Sequence, residues 1–297
     1  KKAELVFVEN EGTDQERLVV DDSLQHDFSL HTASSMYVLD ILPKVQNDSE
    51  VYALDVLTLV EAILENPRVV LYKQIDKIKG EKIAAMKAEG IPYDERMEQL
   101  EQVDYPKPNR DFLYITFNAF AENHPWVRAD NIRPKSIARE MYENFLSFAD
   151  YIRDYGLQRS EGVLLRYVSQ VYKTLVQTIP DEAKDESVLE AQAYFRGMLS
   201  QVDSSLVQEW EAMLNPAQTS DADEVVRPPR LTDDPKACRA RIRTEIHQLL
   251  KHLSTQDFER AASNVRSTEE HPTDAQRLET LMTPYFENYE TLAFNHD

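Results

Sequence analysis

The sequence predicts a mainly α-helical fold, a helical bundle with an N-terminal β-hairpin and a small, incomplete C-terminal α+β module. Three observations predict it. Glycine is rare, with 6 residues in 297, while the strong helix formers Leu, Glu, Ala and Gln are abundant. Apolar residues recur at helical period in most segments. Capping residues and prolines bound these segments.

The start of the chain predicts strands. Residues 4–9 and 17–21 are rich in β-branched and apolar residues, and they flank a polar loop that contains Gly12. The sequence has no initiator Met and reaches a strand at once. We therefore expect residues 1–22 to lead in from a preceding domain, and the chain to be a piece of a longer polypeptide.

Helices are predicted for most of the rest. Ser49 is a suitable cap for the segment 51–66, which is apolar on most sides and so predicts a central core helix. Pro43, Pro67 and Pro180 are stop signals. The predicted helices span residues 32–42, 51–66, 68–89, 93–102, 110–123, 134–153, 161–179, 186–199, 203–213, 235–253, 255–263 and 273–287.

The chain divides at one polar, proline-rich stretch without periodicity. Residues 216–234 have the composition of a linker. We expect a helical domain over residues 23–215 and the C-terminal module over residues 235–297.

The predicted helix 161–179 has two contrasting faces. Ser160 is a suitable N-cap for it. The stripe predicted to be buried comprises Val163, Leu164, Tyr167, Val168, Val171, Tyr172, Leu175, Val176 and Ile179. The other face comprises Arg166, Gln170, Lys173 and Gln177, with Arg159 just before the cap.

The net charge of −20 argues against a protein that coats DNA without selectivity. The charge is uneven, however. Residues 128–173 contain eight Lys/Arg and six Asp/Glu, residues 236–251 contain five against one, and residues 181–224 contain two against eleven. Local basic faces on an acidic body are compatible with selective nucleic-acid contact, although such clusters also occur on ordinary solvated helices.

Motifs for catalysis are missing from the sequence. No glycine is followed by Lys, so there is no phosphate-binding P-loop, and GxGxxG and GxSxG are absent. The pairs His26/His31 and His247/His252 are five residues apart, which does not place both on one helix face for zinc. The single cysteine, Cys238, fits a reducing compartment, and no membrane-spanning run or signal peptide is visible, so we expect a cytoplasmic protein without membrane contact.

The cationic helix face is the remaining candidate site. Arg166 and Lys173 lie about 10 Å apart along the helix axis. Arginine and lysine reach phosphates, and glutamine bonds sugars or base edges. A narrow strip of this kind suits a single strand. The candidate nucleic-acid-binding residues are Arg166, Arg159, Lys173, Gln170, Arg133, Lys135 and Arg139. The alternative is that Arg166 pairs with a carboxylate of a neighbouring helix and that the others aid solubility.

The stretch RSEGVLLRYVSQVYKTL resembles the start of the ratchet helix of Ski2-like superfamily 2 helicases. Ser160, Glu161, Gly162, Leu164 and Arg166 stand at the positions of that family's pattern. Residues 20–215 are similar to the uncharacterised C-terminal domain of bacterial, mainly actinobacterial, DEAD/DEAH-box helicases of this group. The tail that contains PYFENYETLAF resembles their last α+β module.

The resemblance implies a role in guiding nucleic acid. In such helicases an upstream ATP-driven motor, with ATP and Mg²⁺, pulls a single strand past the ratchet helix. The implied partners are the motor domains of the same chain and single-stranded nucleic acid, with RNA favoured over DNA. Arg166 is the implied contact, and the intact protein would be an ATP hydrolase. The alternative function is a non-catalytic helical module that binds a protein through the acidic region 181–224.

Overall fold

A computed structural model describes residues 6–9, 17–20, 32–46, 49, 51–127, 131–202, 235–267, 273–289 and 291–292. In these residues the chain forms twelve helices, numbered here in chain order. They are α1 (Thr32–Ile41), α2 (Tyr52–Ile63), α3 (Arg68–Ala88), α4 (Tyr93–Glu101), α5 (Arg110–Asn123), α6 (Ala138–Glu143), α7 (Phe148–Tyr155), α8 (Glu161–Thr178), α9 (Glu186–Val202), α10 (Pro235–Ser254), α11 (Phe258–Ser263) and α12 (Ala275–Asn288).

The mainly helical class is confirmed, and most helix ends lie within a few residues of the predicted ones. Periodicity and proline stops determine these bounds locally, which is why sequence patterns find them. The predicted helix 203–213 and the predicted linker 216–234 lie outside the described residues.

Two short strands near the start of the chain, β1 (Val6–Glu9) and β2 (Arg17–Val20), pair in antiparallel fashion, with Val6 opposite Val20. A lone two-stranded pair is marginal in water, so it does not establish a folded β-hairpin, and that part of the fold class stays a prediction. In the described part of residues 235–297 there are helices and no strand, so the α+β character of this module also stays a prediction.

The predicted single helix over residues 134–153 is wrong. The chain is extended up to residue 136, forms α6, turns, and begins again as α7. Phe145 lies in the turn with φ 47°, which no α-helix accommodates. Ser147 then caps α7, its hydroxyl oxygen accepting the Asp150 N–H at 3.1 Å. This local capping motif competes with helix continuation.

Helix α2 is the central core helix, as predicted. Every residue from Tyr52 to Ile63 is buried except Asp55. The helix packs against α1, α6, α8 and α9, which surround it. Its position makes α2 the reference against which the other helices are oriented.

The C-terminal end of α2 is capped by a buried lysine. The Lys135 side chain is 0 % exposed, and its ammonium donates to the carbonyls of Glu61, Leu64 and Arg133 at 2.5, 2.7 and 2.8 Å. The Arg133 N–H donates to the Ala62 carbonyl at 2.7 Å. A cation at this position also complements the negative end of the helix dipole. Burial lowers the pKa of Lys135 to about 7.

Glu61 provides the reciprocal cap. Its carboxylate accepts the backbone N–H groups of Ile137, Ala138 and Arg139 at 2.8, 2.9 and 3.0 Å, at the N-terminus of α6. The Tyr167 hydroxyl of α8 donates to the same carboxylate at 2.7 Å. Burial raises the pKa of Glu61, and these hydrogen bonds oppose the shift. One carboxylate thus holds α2, α6 and α8 together.

A second buried cluster extends this arrangement to α3 and α7. The Gln74 amide donates to the Ser136 carbonyl at 2.6 Å, to Glu140 at 2.9 Å and to the Tyr151 hydroxyl at 3.1 Å. The Tyr155 hydroxyl also donates to Glu140. These bonds connect α3, α6 and α7 around one strip of polar atoms. No helix among the described residues has the length and apolar character needed to cross a bilayer.

Replacing Lys135 with Ala should lower the free energy of unfolding by about 3–5 kcal/mol, because three buried carbonyls and the Glu61 carboxylate lose their cation. Urea denaturation measures the loss. The matched control is Lys87→Ala at the exposed end of α3, expected to lie within about 0.5 kcal/mol of wild type. Equal effects at the two lysines would contradict the capping role.

The stability difference between wild type and Lys135→Met should grow as the pH rises from about 7 to about 10. Lys135 has a folded pKa of about 7, whereas its ordinary value is 10.5, so the unfolded chain binds more protons across that window and wild type gains stability. Denaturation curves at both ends of the window test this, and parallel pH profiles would refute it.

Candidate nucleic-acid interface

Helix α8 separates an apolar face from a polar face almost as its sequence predicts. Leu164, Tyr167, Val168, Val171 and Leu175 are buried. Tyr172 and Ile179 are buried as well, and Val176 packs partly against the core. Val163 is the exception. It is 41 % exposed, because it lies one turn before Arg166 and Tyr167, at the margin of the buried stripe.

The rotation of α8 about its own axis is held by the Tyr167–Glu61 hydrogen bond as well as by apolar packing. Tyr167 is buried, and burial raises its pKa well above the usual range. Its hydroxyl reaches a carboxylate that is bonded to α6. Since neighbouring helical residues are 100° apart, directing Tyr167 inward directs Arg166 to the side and outward.

Arg166 and Arg159 are the available cations of this face. Both are exposed, and neither forms an ion pair with any residue in the described ranges. Arg159 precedes α8, in the turn that leads to Ser160. Ser160 stands at the predicted N-cap position, but its hydroxyl makes no capping bond there. The alternative in which Arg166 is consumed by a neighbouring carboxylate therefore does not hold for the described part of the chain.

The other predicted residues of this face differ in accessibility. Gln170 is half-buried, and its carbonyl accepts the Thr174 hydroxyl at 2.8 Å. Lys173 is half-buried and Gln177 is exposed, and both already interact within the chain. The accessible charge therefore lies at the N-terminal end of the helix rather than along its whole length.

The three remaining candidates, Arg133, Lys135 and Arg139, lie just before α6 or in its first turn and differ in how exposed their side chains are. Arg133 is exposed, and its described interactions are those of its backbone. The prediction that Lys135 contacts nucleic acid is corrected, because its fully buried ammonium is occupied by three carbonyls of the chain. This side chain therefore exposes no surface that a phosphate could contact.

The prediction for Arg139 is corrected for a related reason. Its side chain is 15 % exposed and forms an ion pair with Asp55 at 3.2 Å. It also donates to the Thr58 hydroxyl at 2.8 Å and lies 3.9 Å from Glu143. Asn109 adds a hydrogen bond to Asp55 at 2.8 Å. Arg139 thus connects α6 to α2 and is held away from any ligand.

Sequence reasoning missed Glu61 and Asp55. They are the only two charged residues within Tyr52–Ile63, a helix that is otherwise almost entirely apolar. An acid inside a buried helix needs a partner, and this signal could have assigned Lys135 and Arg139 to structural roles. It could not have paired them, because the partners are more than 70 residues apart along the chain.

The cluster of Glu61, Lys135 and Tyr167 has the shifted pKa values that often mark catalytic sites. All three side chains are buried, however, and their polar atoms bond one another or the backbone. The cluster therefore has a structural role. Across the described residues, no group of His, Cys, Asp and Glu is arranged to hold a metal ion.

Comparison with known proteins identifies one family. The model of a domain of unknown function, DUF3516, matches residues 2–297. Neither a curated protein nor a solved structure matches the chain.

Tyr167→Phe should lower the free energy of unfolding by about 1.5–3 kcal/mol, since it removes a hydrogen bond to a buried charged group. Tyr72→Phe is the matched control, because Tyr72 is 63 % exposed. Denaturation measures both variants. A neutral Tyr167→Phe variant would show that apolar packing alone orients α8.

Proposed function

We propose that the chain, which belongs to the DUF3516 family of unknown function, is the C-terminal nucleic-acid-guiding region of a Ski2-like, ATP-dependent superfamily 2 helicase. In this proposal the polar face of α8 contacts a single strand, RNA rather than DNA, as the motor pulls it past. The motor domains, with ATP and Mg²⁺, belong to another part of the same polypeptide. The proposal also places the protein in the cytoplasm.

The observation that carries the proposal is the exposed guanidinium of Arg166, which forms no ion pair with any residue that the structure describes. It stands at the position that the ratchet-helix pattern assigns to nucleic acid, on a helix whose opposite face is packed into the core. Arginine forms bidentate hydrogen bonds with phosphate, which suits this position.

Arg159 supports the same surface. It lies in the turn that enters α8 and is exposed, with no ion-pair partner in the described ranges. Two arginines at the start of one helix, next to the exposed Val163, can hold a phosphate and the apolar edge of a sugar or base. Such contacts depend on charge and shape, so they let a strand slide without reading its sequence.

A specific observation also favours a second function, a protein-interaction module. Ile242, Ile246 and Leu250 lie four residues apart on α10 and are all exposed, Ile242 by 52 % and Ile246 by 50 %. A row of exposed apolar residues on one helix face is typical of a protein contact. Protein binding through this row would depend weakly on salt, whereas strand binding depends on it steeply.

Arg166→Ala should weaken binding of an oligouridylate to the 297-residue chain about fivefold to tenfold, because one charge-assisted contact is lost. Fluorescence anisotropy across a salt series measures affinity. The slope of log affinity against log salt should fall by about 0.7, the value for one single-strand phosphate. Arg159→Ala should act in the same direction.

Arg68→Ala is the matched control, since Arg68 is an exposed arginine at the start of α3. It should change affinity by less than about twofold, as expected for one distant surface charge. Equal weakening by Arg68→Ala and Arg166→Ala would show that binding reflects overall charge, and unchanged binding in Arg166→Ala would refute the guiding role.

In the intact helicase, Arg166→Ala should reduce strand-stimulated ATP hydrolysis and unwinding while leaving basal hydrolysis and the folded helix content unchanged. The reason is that Arg166 contacts the strand and takes no part in nucleotide chemistry. A coupled ATPase assay with and without RNA measures the stimulation. Full stimulation in the variant would contradict the proposal.

A further inference from the structure

The helices α10 and α11 form a basic element on an acidic chain. Residues 235–267 contain seven Lys/Arg and three Asp/Glu, whereas the whole chain has a net charge of −20. α10 packs against α9, and α11 follows α10. We call α10 and α11 together the basic arm. The proposed function makes no use of it.

The basic arm is attached to the bundle by polar contacts. No described residue beyond 234 belongs to the buried apolar core, and the buried residues of this part are Gln248, His252 and Ala261. Its neighbour α9 differs, because Val188 and Phe195 are fully buried in that core. Apolar burial, the main stabilising term in folding, therefore contributes little to the attachment of the arm.

Ion pairs provide the specific contacts. Arg243 pairs with Glu190 of α9. The Arg260 guanidinium lies 3.9 Å from Asp154 of α7, although it also pairs with Asp257 at 2.9 Å, and Asp154 lies 3.7 Å from Arg153. The Lys251 ammonium donates to the Asn144 carbonyl at 3.3 Å. These charged groups are partly exposed, so dissolved salt screens their attraction.

The arm meets the bundle at its strained turn. Phe145, whose φ is 47°, stacks on His247 of α10 with ring centroids 4.1 Å apart. The adjacent Asn144 provides the carbonyl that accepts Lys251. A bulky residue in the left-handed region is held there by its surroundings. In this turn the surroundings include the arm itself.

One buried polar atom shows that the contact is imperfect. The Nδ1 atom of His252 is buried without a hydrogen-bond partner among the described residues. Burying an unsatisfied polar atom opposes association. Because its charged contacts with the bundle are partly exposed, we expect the arm to belong to the class of elements that open locally before the core does.

We propose that the bundle carboxylates Glu190 and Asp154 form an ionic latch that holds the basic arm, and that single-stranded nucleic acid releases it. The cations that hold the arm, Arg243 and Arg260, are also groups that phosphates bind. A polyanion therefore competes directly with the two carboxylates. Release exposes a second basic surface, separate from Arg166, and the occupant of that surface is the strand itself.

Hydrogen–deuterium exchange on the 297-residue chain tests the latch. Raising NaCl from about 50 mM to about 500 mM should lower protection in residues 235–263 roughly tenfold, because screening weakens several ion pairs together. Protection in α2 should stay unchanged. At the lower salt, an oligouridylate of about 20 nucleotides should lower protection in the same helices and expose Phe145 and its neighbours.

Two variants separate the latch from a general charge effect. Asp154→Asn combined with Glu190→Gln should show the released exchange pattern already at low salt and should bind the oligouridylate more tightly. The control is Glu186→Gln, which removes one exposed charge from the same helix α9. It should retain wild-type protection of the arm.

Salt-independent protection of the arm, or a parallel loss in α2, would overturn the latch. Release by salt without release by the oligouridylate would overturn nucleic acid as the competitor. The result does not depend on the proposed function, because Arg166→Ala leaves every cation of the arm in place. Release should persist in that variant, so failure of one proposal can be recognised without failure of the other.

Discussion

The reciprocal capping of two helix ends by Glu61 and Lys135 is the constraint on which the rest of this structure depends. Lys135 satisfies carbonyls at the C-terminus of α2, and Glu61 satisfies amides at the N-terminus of α6. Neither charge is tolerable alone in an apolar interior. Lys135 therefore stays at the C-terminus of α2 and Glu61 at the N-terminus of α6. Together they position the segment that leads into α6 against the central helix α2.

The same constraint determines which cations remain for a ligand. Three backbone carbonyls bind the Lys135 ammonium, and Asp55 pairs with Arg139. Arg166 instead lies on the exposed side of α8, whose rotation is held by the hydrogen bond from Tyr167 to Glu61. Residue type is uninformative here, since arginine is equally suited to a phosphate and to a carboxylate. The position of the nearest acid decides the role, and that position is a property of helix packing.

Two modes of attachment coexist in the chain. Helix α9 contributes buried apolar side chains to the core, whereas α10 is held by ion pairs, one ring stack and two buried polar residues. Apolar burial is insensitive to screening, and exposed ion pairs are not. In the proposed latch, the cations of the basic arm become available when single-stranded nucleic acid displaces these carboxylates.

The sequence by itself determined most helix positions, the central role of α2 and the two-faced character of α8, because period, caps and prolines act within a few residues of each other. That Arg166 contacts nucleic acid stays a prediction. Only the tertiary structure decided that Lys135 is buried, that Arg139 is paired, and that residues 134–153 form two helices joined at Phe145. The physical reason is distance along the chain. A charged group is satisfied by whatever partner packing brings near it, and the Lys135 ammonium binds the carbonyl of Glu61, which is 74 residues away in the sequence.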